Sequence, residues 1–226
     1  MFTMGPAFFG AESDPYAANV LSLLHFDGAN GSTTFTDQVA GHSWGATGGS
    51  TISTAQSKFG GSSLNVPISS NIELSSPGSE WVMTGDLSIE CWMLTDGTGG
   101  LAGIVRLNTS GASLTTGPSS STAISITING ITRAAGDGAG SIYGRWVHCF
   151  FGRSGSTTYV ACNGVMTSFP LETGMNMSGT ISTVRIGSMP SIAGSPYHYI
   201  DDIRITKGVC RYTATFTPPT APYPNP

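Results

Sequence analysis

Apolar and polar residues alternate with a period of two along most of this 226-residue chain, in short runs broken by glycine. Ile124, Ile126 and Ile128 interleave with Ser125, Thr127 and Asn129, the pattern of a half-exposed strand, and Asn129-Gly130 then predicts a hairpin turn. Leu21, Leu23 and His25 interleave with Ser22, Leu24 and Phe26, a strand apolar on both faces. Leu87, Ile89, Cys91 and Met93 interleave with Ser88, Glu90, Trp92 and Leu94 in the same way. No window longer than about ten residues keeps a helical period, so little or no α-helix is expected. Gly97 to Gly100 and Ser110 to Ser121 read as glycine- and serine-rich loops, the edges that a partner would contact.

A carboxylate interrupts the pattern near the C-terminus. In Tyr199-Ile200-Asp201-Asp202-Ile203-Arg204-Ile205, strict alternation puts Tyr199, Asp201, Ile203 and Ile205 on one face. Asp201 among core-facing residues must be paired, hydrogen-bonded or bound to a cation, because an isolated buried charge is too costly. Three zones emerge. Residues 1–19 form an arm that carries Phe2, Phe8, Phe9 and Tyr16 without periodicity. Residues 20–217 form one β domain. Residues 218–226 are a proline-rich tail that can neither enter a sheet nor form a helix.

Composition narrows the function classes. The net charge is −4, and the nine Lys and Arg residues are scattered singly. No surface that neutralises phosphates is expected, so nucleic acid and anionic membrane are set aside as partners. Met1 to Ala11 is apolar, but no basic residue precedes Lys58 and Gly5-Pro6 breaks the run. No secretion signal or membrane span is expected, which implies synthesis in the cytoplasm. The four cysteines lack zinc spacing. A two-residue turn at Gly155-Ser156 would set Cys149 opposite Cys162, where a cross-strand disulfide is compatible with the register; buried free thiols are the favoured reading in a reducing compartment.

Five further motifs occur in order. They are Leu23-Leu24-His25-Phe26-Asp27-Gly28; Ser57-Lys58-Phe59-Gly60-Gly61-Ser62-Ser63-Leu64; Leu87 to Met93; Trp146 to Phe150 followed by Tyr159 to Gly164; and Val184-Arg185-Ile186-Gly187. Together with the closing Ile200 to Ile205 segment they resemble the laminin-G-like, concanavalin-A-like jelly rolls over residues 20 to 218. The extension through Thr206-Lys207-Gly208-Val209, Arg211-Tyr212-Thr213 and Phe216-Thr217-Pro218-Pro219 resembles the form found in virion proteins of tailed bacteriophages. The resemblance implies an all-β sandwich of two antiparallel sheets with extended arms at both ends.

Glucanases of this jelly roll carry a Glu-x-Asp-x-(x)-Glu run on one strand. Here Glu73, Glu80, Asp86 and Glu90 are dispersed, and Asp201 and Asp202 point to opposite faces. There is no nucleophile elbow either, so a non-enzyme is expected. The resemblance implies a structural calcium at Asp27, Asp201 and Asp202, with carbonyls from Gly28 to Ser32. The favoured alternative has Asp27 in an Asx turn and Asp201 accepting backbone N–H bonds. His25, His42, His148 and His198 show no metal spacing. Trp92 and Trp146 match core positions of the family, leaving Trp44, Trp81, Tyr143 and Tyr197 as the aromatics open to stack on a sugar.

The function expected is a non-enzymatic structural or accessory protein of a bacteriophage virion: capsid decoration, fibre, collar or tail. Its partners would be other virion proteins and copies of itself, met through Phe2, Phe8, Phe9 and Tyr16, and both arms would order on contact with those neighbours. The alternative is a carbohydrate-binding receptor-recognition or adhesion module directed at a host-surface or environmental glycan.

Overall fold

The computed structural model describes residues 13–39, 41–96, 103–109, 113–170, 179–187 and 197–226. The strands run β1 (Val20–Leu24), β2 (Trp44–Thr47), β3 (Thr51–Ser53), β4 (Ser63–Val66) and β5 (Asn71–Leu74). They continue with β6 (Leu87–Thr95), β7 (Val105–Thr109), β8 (Ser113–Ser120), β9 (Ala123–Ile128) and β10 (Ile131–Ala135). The last five are β11 (Val147–Ser154), β12 (Thr157–Cys162), β13 (Val165–Pro170), β14 (Ile181–Gly187) and β15 (His198–Lys207).

All pairings are antiparallel and form two sheets. One has the order β13-β12-β11-β6-β15-β4-β3, with β1 also paired to β15; the other runs β10-β9-β8-β7-β14-β5-β2. The only helical segments among the described residues are two short 3-10 turns. Ile89, Cys91 and Met93 of β6, Val147, Cys149 and Phe151 of β11, and Ile200, Ile203 and Ile205 of β15 point inward and are fully buried. They meet Leu107, Ile124, Ile126, Val184 and Ile186 of the second sheet. Each such side chain contributes roughly 1.5–3 kcal/mol by leaving water. The chain is an all-β sandwich built on one principal core.

Local sequence explains the hairpins. Asn129 and Gly130 take φ of 50° and 83°, the double left-handed pair of a type I′ turn, and join β9 to β10 in register. Gly164, at φ 79°, closes the β12–β13 hairpin, and a Cβ there would run into the carbonyl of Phe216. Gly155-Ser156 joins β11 to β12 and places Cys149 opposite Cys162, with Cys91 on the other side of Cys149. All four cysteines are free, and the three in this row are buried. Burial pushes the Cys149 and Cys162 thiols far up, and Cys210 up to about 12.

Two expectations need correction. Ser113–Ser120, read as a loop, is a strand, because Leu114 and Thr116 are buried and the Thr116 hydroxyl accepts the Val105 N–H at 3.0 Å. In β15 the register shifts between Asp201 and Arg204, with Asp202 at φ 51°. This bulge resets the alternation. Ile200, Ile203 and Ile205 face the core as a set, whereas Tyr199 and Asp201 lie on the outer face, Asp201 opposite Trp92.

The segment after β15, including the proline-rich tail, forms no regular structure and docks on the chain's own first sheet. Tyr212 and Phe216 stack at 3.8 Å and contact Phe150, and Tyr223 is 3 % exposed.

Replacing Ile203 with Ala should lower stability by about 2–5 kcal/mol in urea unfolding. A loss below about 0.5 kcal/mol would show that this side of the bulge does not face the core.

Candidate functional site

The outer face of the first sheet is divided in two. Its inner half carries Glu90 and Trp92 of β6, His148 and Phe150 of β11, and Arg204 of β15, all buried. Glu90 and Arg204 lie directly opposite each other. The Glu90 carboxylate accepts Arg204 Nε–H at 3.0 Å and Nη2–H at 2.8 Å. The third Arg204 nitrogen donates to Asp14 at 3.0 Å, and Arg211 donates twice to Asp14, each at 2.8 Å. Tyr223 covers the Arg204 guanidinium at 4.0 Å, and its hydroxyl meets His148 Nε2 at 2.9 Å. Burial raises the Glu90 pKa despite both arginines. Burial, with Arg204 and Lys58 nearby, drops His148 to about 3, so its ring is neutral. This half is closed by protein.

The other half, among the described residues, lies beyond the reach of the tail. Continuing outward along the same rows come Leu94 at the end of β6, Trp146 just before β11, and Tyr199 and Tyr197 at the start of β15. With Gln56, Thr95, Asp96, Gly144 and Arg145 they line a groove of about 370 Å³. Backbone bonds set its walls: Gly144 N–H donates to the Thr95 carbonyl at 2.8 Å, and Tyr199 pairs with Leu94 in the sheet. Tyr197 and Tyr199 meet edge to face at 5.5 Å, and Tyr197 is 37 % exposed. The groove therefore offers aromatic surface beside one amide, one carboxylate and one guanidinium. That combination can stack on an apolar ring face while hydrogen-bonding its hydroxyls.

Of the aromatics named from sequence, Tyr197 lines this groove. Tyr143 packs half-buried against the core. Trp44 and Trp81 present no face to a sugar, being 7 % and 0 % exposed and packed edge to face at 6.2 Å. Trp146, assigned to the core by resemblance, is only half-buried and forms a groove wall. Its position explains this: alternation puts Val147 inward and Trp146 on the same side as His148.

The three carboxylates of the calcium reading do not assemble into a metal site. Among the described residues, no three His, Cys, Asp or Glu side chains form a metal-binding group. Asp27 is exposed. Asp201 Oδ2 accepts the N–H groups of Lys58 at 2.6 Å and Phe59 at 3.0 Å. Asp202 is engaged with His25 Nδ1 at 2.5 Å and the Tyr223 N–H at 2.8 Å, while His25 Nε2 reaches Asn225 at 2.8 Å. His25 is pushed toward its charged form by Asp202 against the effect of burial, so this corner pins the tail.

One buried carboxylate escaped the sequence reading. Asp37 accepts from Ser22, Leu23, Val39, His42 and Trp44 at 2.6–3.1 Å. It is the sole carboxylate between Asp27 and Glu73, with His42 and Trp44 close behind, and that spacing was the available signal. Phe2, Phe8 and Phe9, named as assembly contacts, lie outside the described residues. Tyr16 is 39 % exposed beside Arg211.

No protein-family model matches the chain, and no curated protein sequence matches it. Solved structures match it in fold. Domain 4 of AbnA, a GH43 extracellular arabinanase from Geobacillus stearothermophilus, in complex with arabinotriose, has TM-score 0.64 at 18% identity, covering 84% of this chain and 93% of that one. The binding domain of botulinum neurotoxin serotype G has TM-score 0.63 at 13% identity, covering 84% and 48%. That of botulinum neurotoxin DC, in complex with rat synaptotagmin II, has TM-score 0.60 at 10% identity, covering 84% and 48%. The chain spans about half the length of the neurotoxin domains it matches. At these identities the likeness is one of fold, the jelly-roll sandwich.

Two outcomes follow from the outer face. Tyr223→Phe removes the partner of neutral His148 and should cost about 1–3 kcal/mol in thermal or urea unfolding; an unchanged melt would refute the contact. Burial raises Asp201 to about 7, against its two N–H bonds and with repulsion from Asp202 and Asp27. A carboxyl whose folded pKa is raised stabilises the fold when protonated, and that contribution fades between about pH 4 and pH 7. The stability of Asp201→Asn relative to the wild type should therefore rise over that window in paired melts, whereas a flat difference would contradict the shift.

Proposed function

We propose that this chain is a non-enzymatic carbohydrate-binding module that holds a glycan in the groove of Trp146, Tyr197 and Tyr199. The observation that carries the reading is the division of the outer face: protein closes one half, and aromatic rings beside Gln56 and Asp96 line the open half. The groove's volume of about 370 Å³ lies in the range of ligand clefts. The fold neighbours support it. The arabinanase domain is bound to arabinotriose, and a structure of botulinum neurotoxin type C concerns cell entry dependent on two ganglioside molecules. Among the described residues the lining carries one carboxylate, Asp96, which supports binding rather than glycoside hydrolysis by two flanking carboxyls.

The setting we propose is recognition of a receptor or surface glycan. Display on a bacteriophage virion rests on the resemblance of Tyr199 to Thr213 and its extension to phage proteins. Either setting uses the same groove.

Glycan-array screening of the intact chain, followed by calorimetry on the hits, tests the reading. Trp146→Ala and Tyr197→Ala should each weaken binding about tenfold or more, a loss of about 1.4 kcal/mol. Tyr197→Ala should change the thermal melt little, since Tyr197 is 37 % exposed and lies outside the hydrophobic core. Binding that survives both substitutions would place the site elsewhere.

A further inference from the structure

The groove has a direction, set by the sheet beneath it. Its lining runs from Arg145 and Trp146, just before β11, over Leu94 of β6 and Tyr199 of β15, to Gln56 in the connection from β3 to β4. Those strands are neighbours in the order β11-β6-β15-β4. The register aligns the side chains: Val147 faces Met93, which sets Trp146 one step on beside Leu94, and Leu94 faces Tyr199. The next outward-facing row along the strands, Asp201, Trp92 and His148, is buried. The long axis of the groove therefore lies across the strands and not along them.

Crossing from β11 to β4 takes three inter-strand spacings, about 14 Å in all. A sugar unit in an extended chain advances by roughly one such spacing, so consecutive units keep step with consecutive strands. Trp146 and Tyr199, two strands apart, then fall under the first and third units, with Leu94 beneath the middle one and Gln56 beside the third. The Trp146 end is rigid. Arg145 Nη2–H donates to Asp137 at 2.7 Å and its Nε–H to the Ser141 carbonyl at 2.8 Å, while Ala139 N–H and Asn163 Nδ2–H hold Asp137 at 2.9 and 2.7 Å. Burial and the neighbouring Tyr197 push the Tyr199 hydroxyl up to about 12, so its ring is neutral. A site that reads one terminal sugar gathers its polar groups around a single point. Here Gln56 and Arg145 stand at opposite ends of the row.

We propose that the groove holds a linear run of about three consecutive sugar units laid across the strands, and does not read a single terminal sugar. This deepens the glycan reading above and rests on it. Each unit adds contact with one more strand position, so affinity is built along the chain, and the fixed rings bind without reordering.

The test titrates the intact chain by calorimetry with α-1,5-arabino-, β-1,4-gluco- and β-1,4-xylo-oligosaccharides of one to five units, and with the same length series of any array hit. Affinity should rise about tenfold or more from one unit to three and level off beyond. Trp146→Ala should remove binding along the whole series. Gln56→Ala should weaken the three-unit ligand to about the affinity of the two-unit one and leave the two-unit ligand unchanged. Gln56 is exposed and the Ser63 hydroxyl donates to its backbone carbonyl at 2.8 Å, so this substitution spares the fold. A single sugar bound as tightly as three units, in a Trp146-dependent manner, would overturn the linear run while leaving the glycan site standing, as would a gain that continues through the fifth unit. Three-unit binding indifferent to Gln56→Ala would overturn the crossing axis. The absence of Trp146-dependent binding to any glycan would overturn both readings.

Discussion

Glu90 stands mid-strand on β6 without exposure, on a sheet face that water would otherwise reach. An ion buried alone costs several kcal/mol, so the structure must answer that charge before it can do anything else with the face. Arg204 answers it from the neighbouring strand, and Arg204 in turn draws in Asp14 and the ring of Tyr223. The described residues before β1 and the segment after β15 are held in this way. Cover and charge depend on each other: the tail keeps water from the pair, and the pair gives the tail its anchor. Because these charges are buried, salt screens them little.

The same arrangement decides where a ligand can go. Phe150, His148 and Trp92 are aromatic groups on the outer face, but Phe216, just before the tail, and the Lys58–Phe59 loop lie on them. Trp146, Tyr199 and Tyr197 extend past that cover. Residues alike in chemistry and alternating along the same strands thus divide into structural and ligand-facing sets by what happens to lie above them.

That division also explains what was legible in the sequence. Local rules read well: the Ile124–Ile128 alternation, the Asn129-Gly130 turn, and the facing of Cys149 and Cys162 all depend on residues a few positions apart. Ile203 and Ile205 were placed correctly on the core face, but Asp201 was not, because a bulge changes parity without a mark that pattern reading detects. The tryptophans failed for a different reason. Trp44 and Trp81 stand near glycine and serine, as loop aromatics do, yet they are buried by partners distant in sequence and by Asp37. Trp146 resembled a core position by motif, and only the pleat of β11 shows which way it faces. Tail docking was the least legible feature, since proline-rich composition carries no trace of a sheet face shaped to receive it.

The place of β15 carries a consequence for how the molecule forms. It is the last strand in the chain but lies inside the first sheet, hydrogen-bonded to β6, β4 and β1. During synthesis the two halves of that sheet therefore remain apart until residue 207 has left the ribosome, with Glu90 unanswered and the edge of β6 open. Such non-local closure is slow and leaves strand edges exposed to wrong pairing. A charged residue at the centre of an unfinished sheet keeps that edge wet while it waits, and makes premature, tightly packed misassembly unfavourable until its partner arrives.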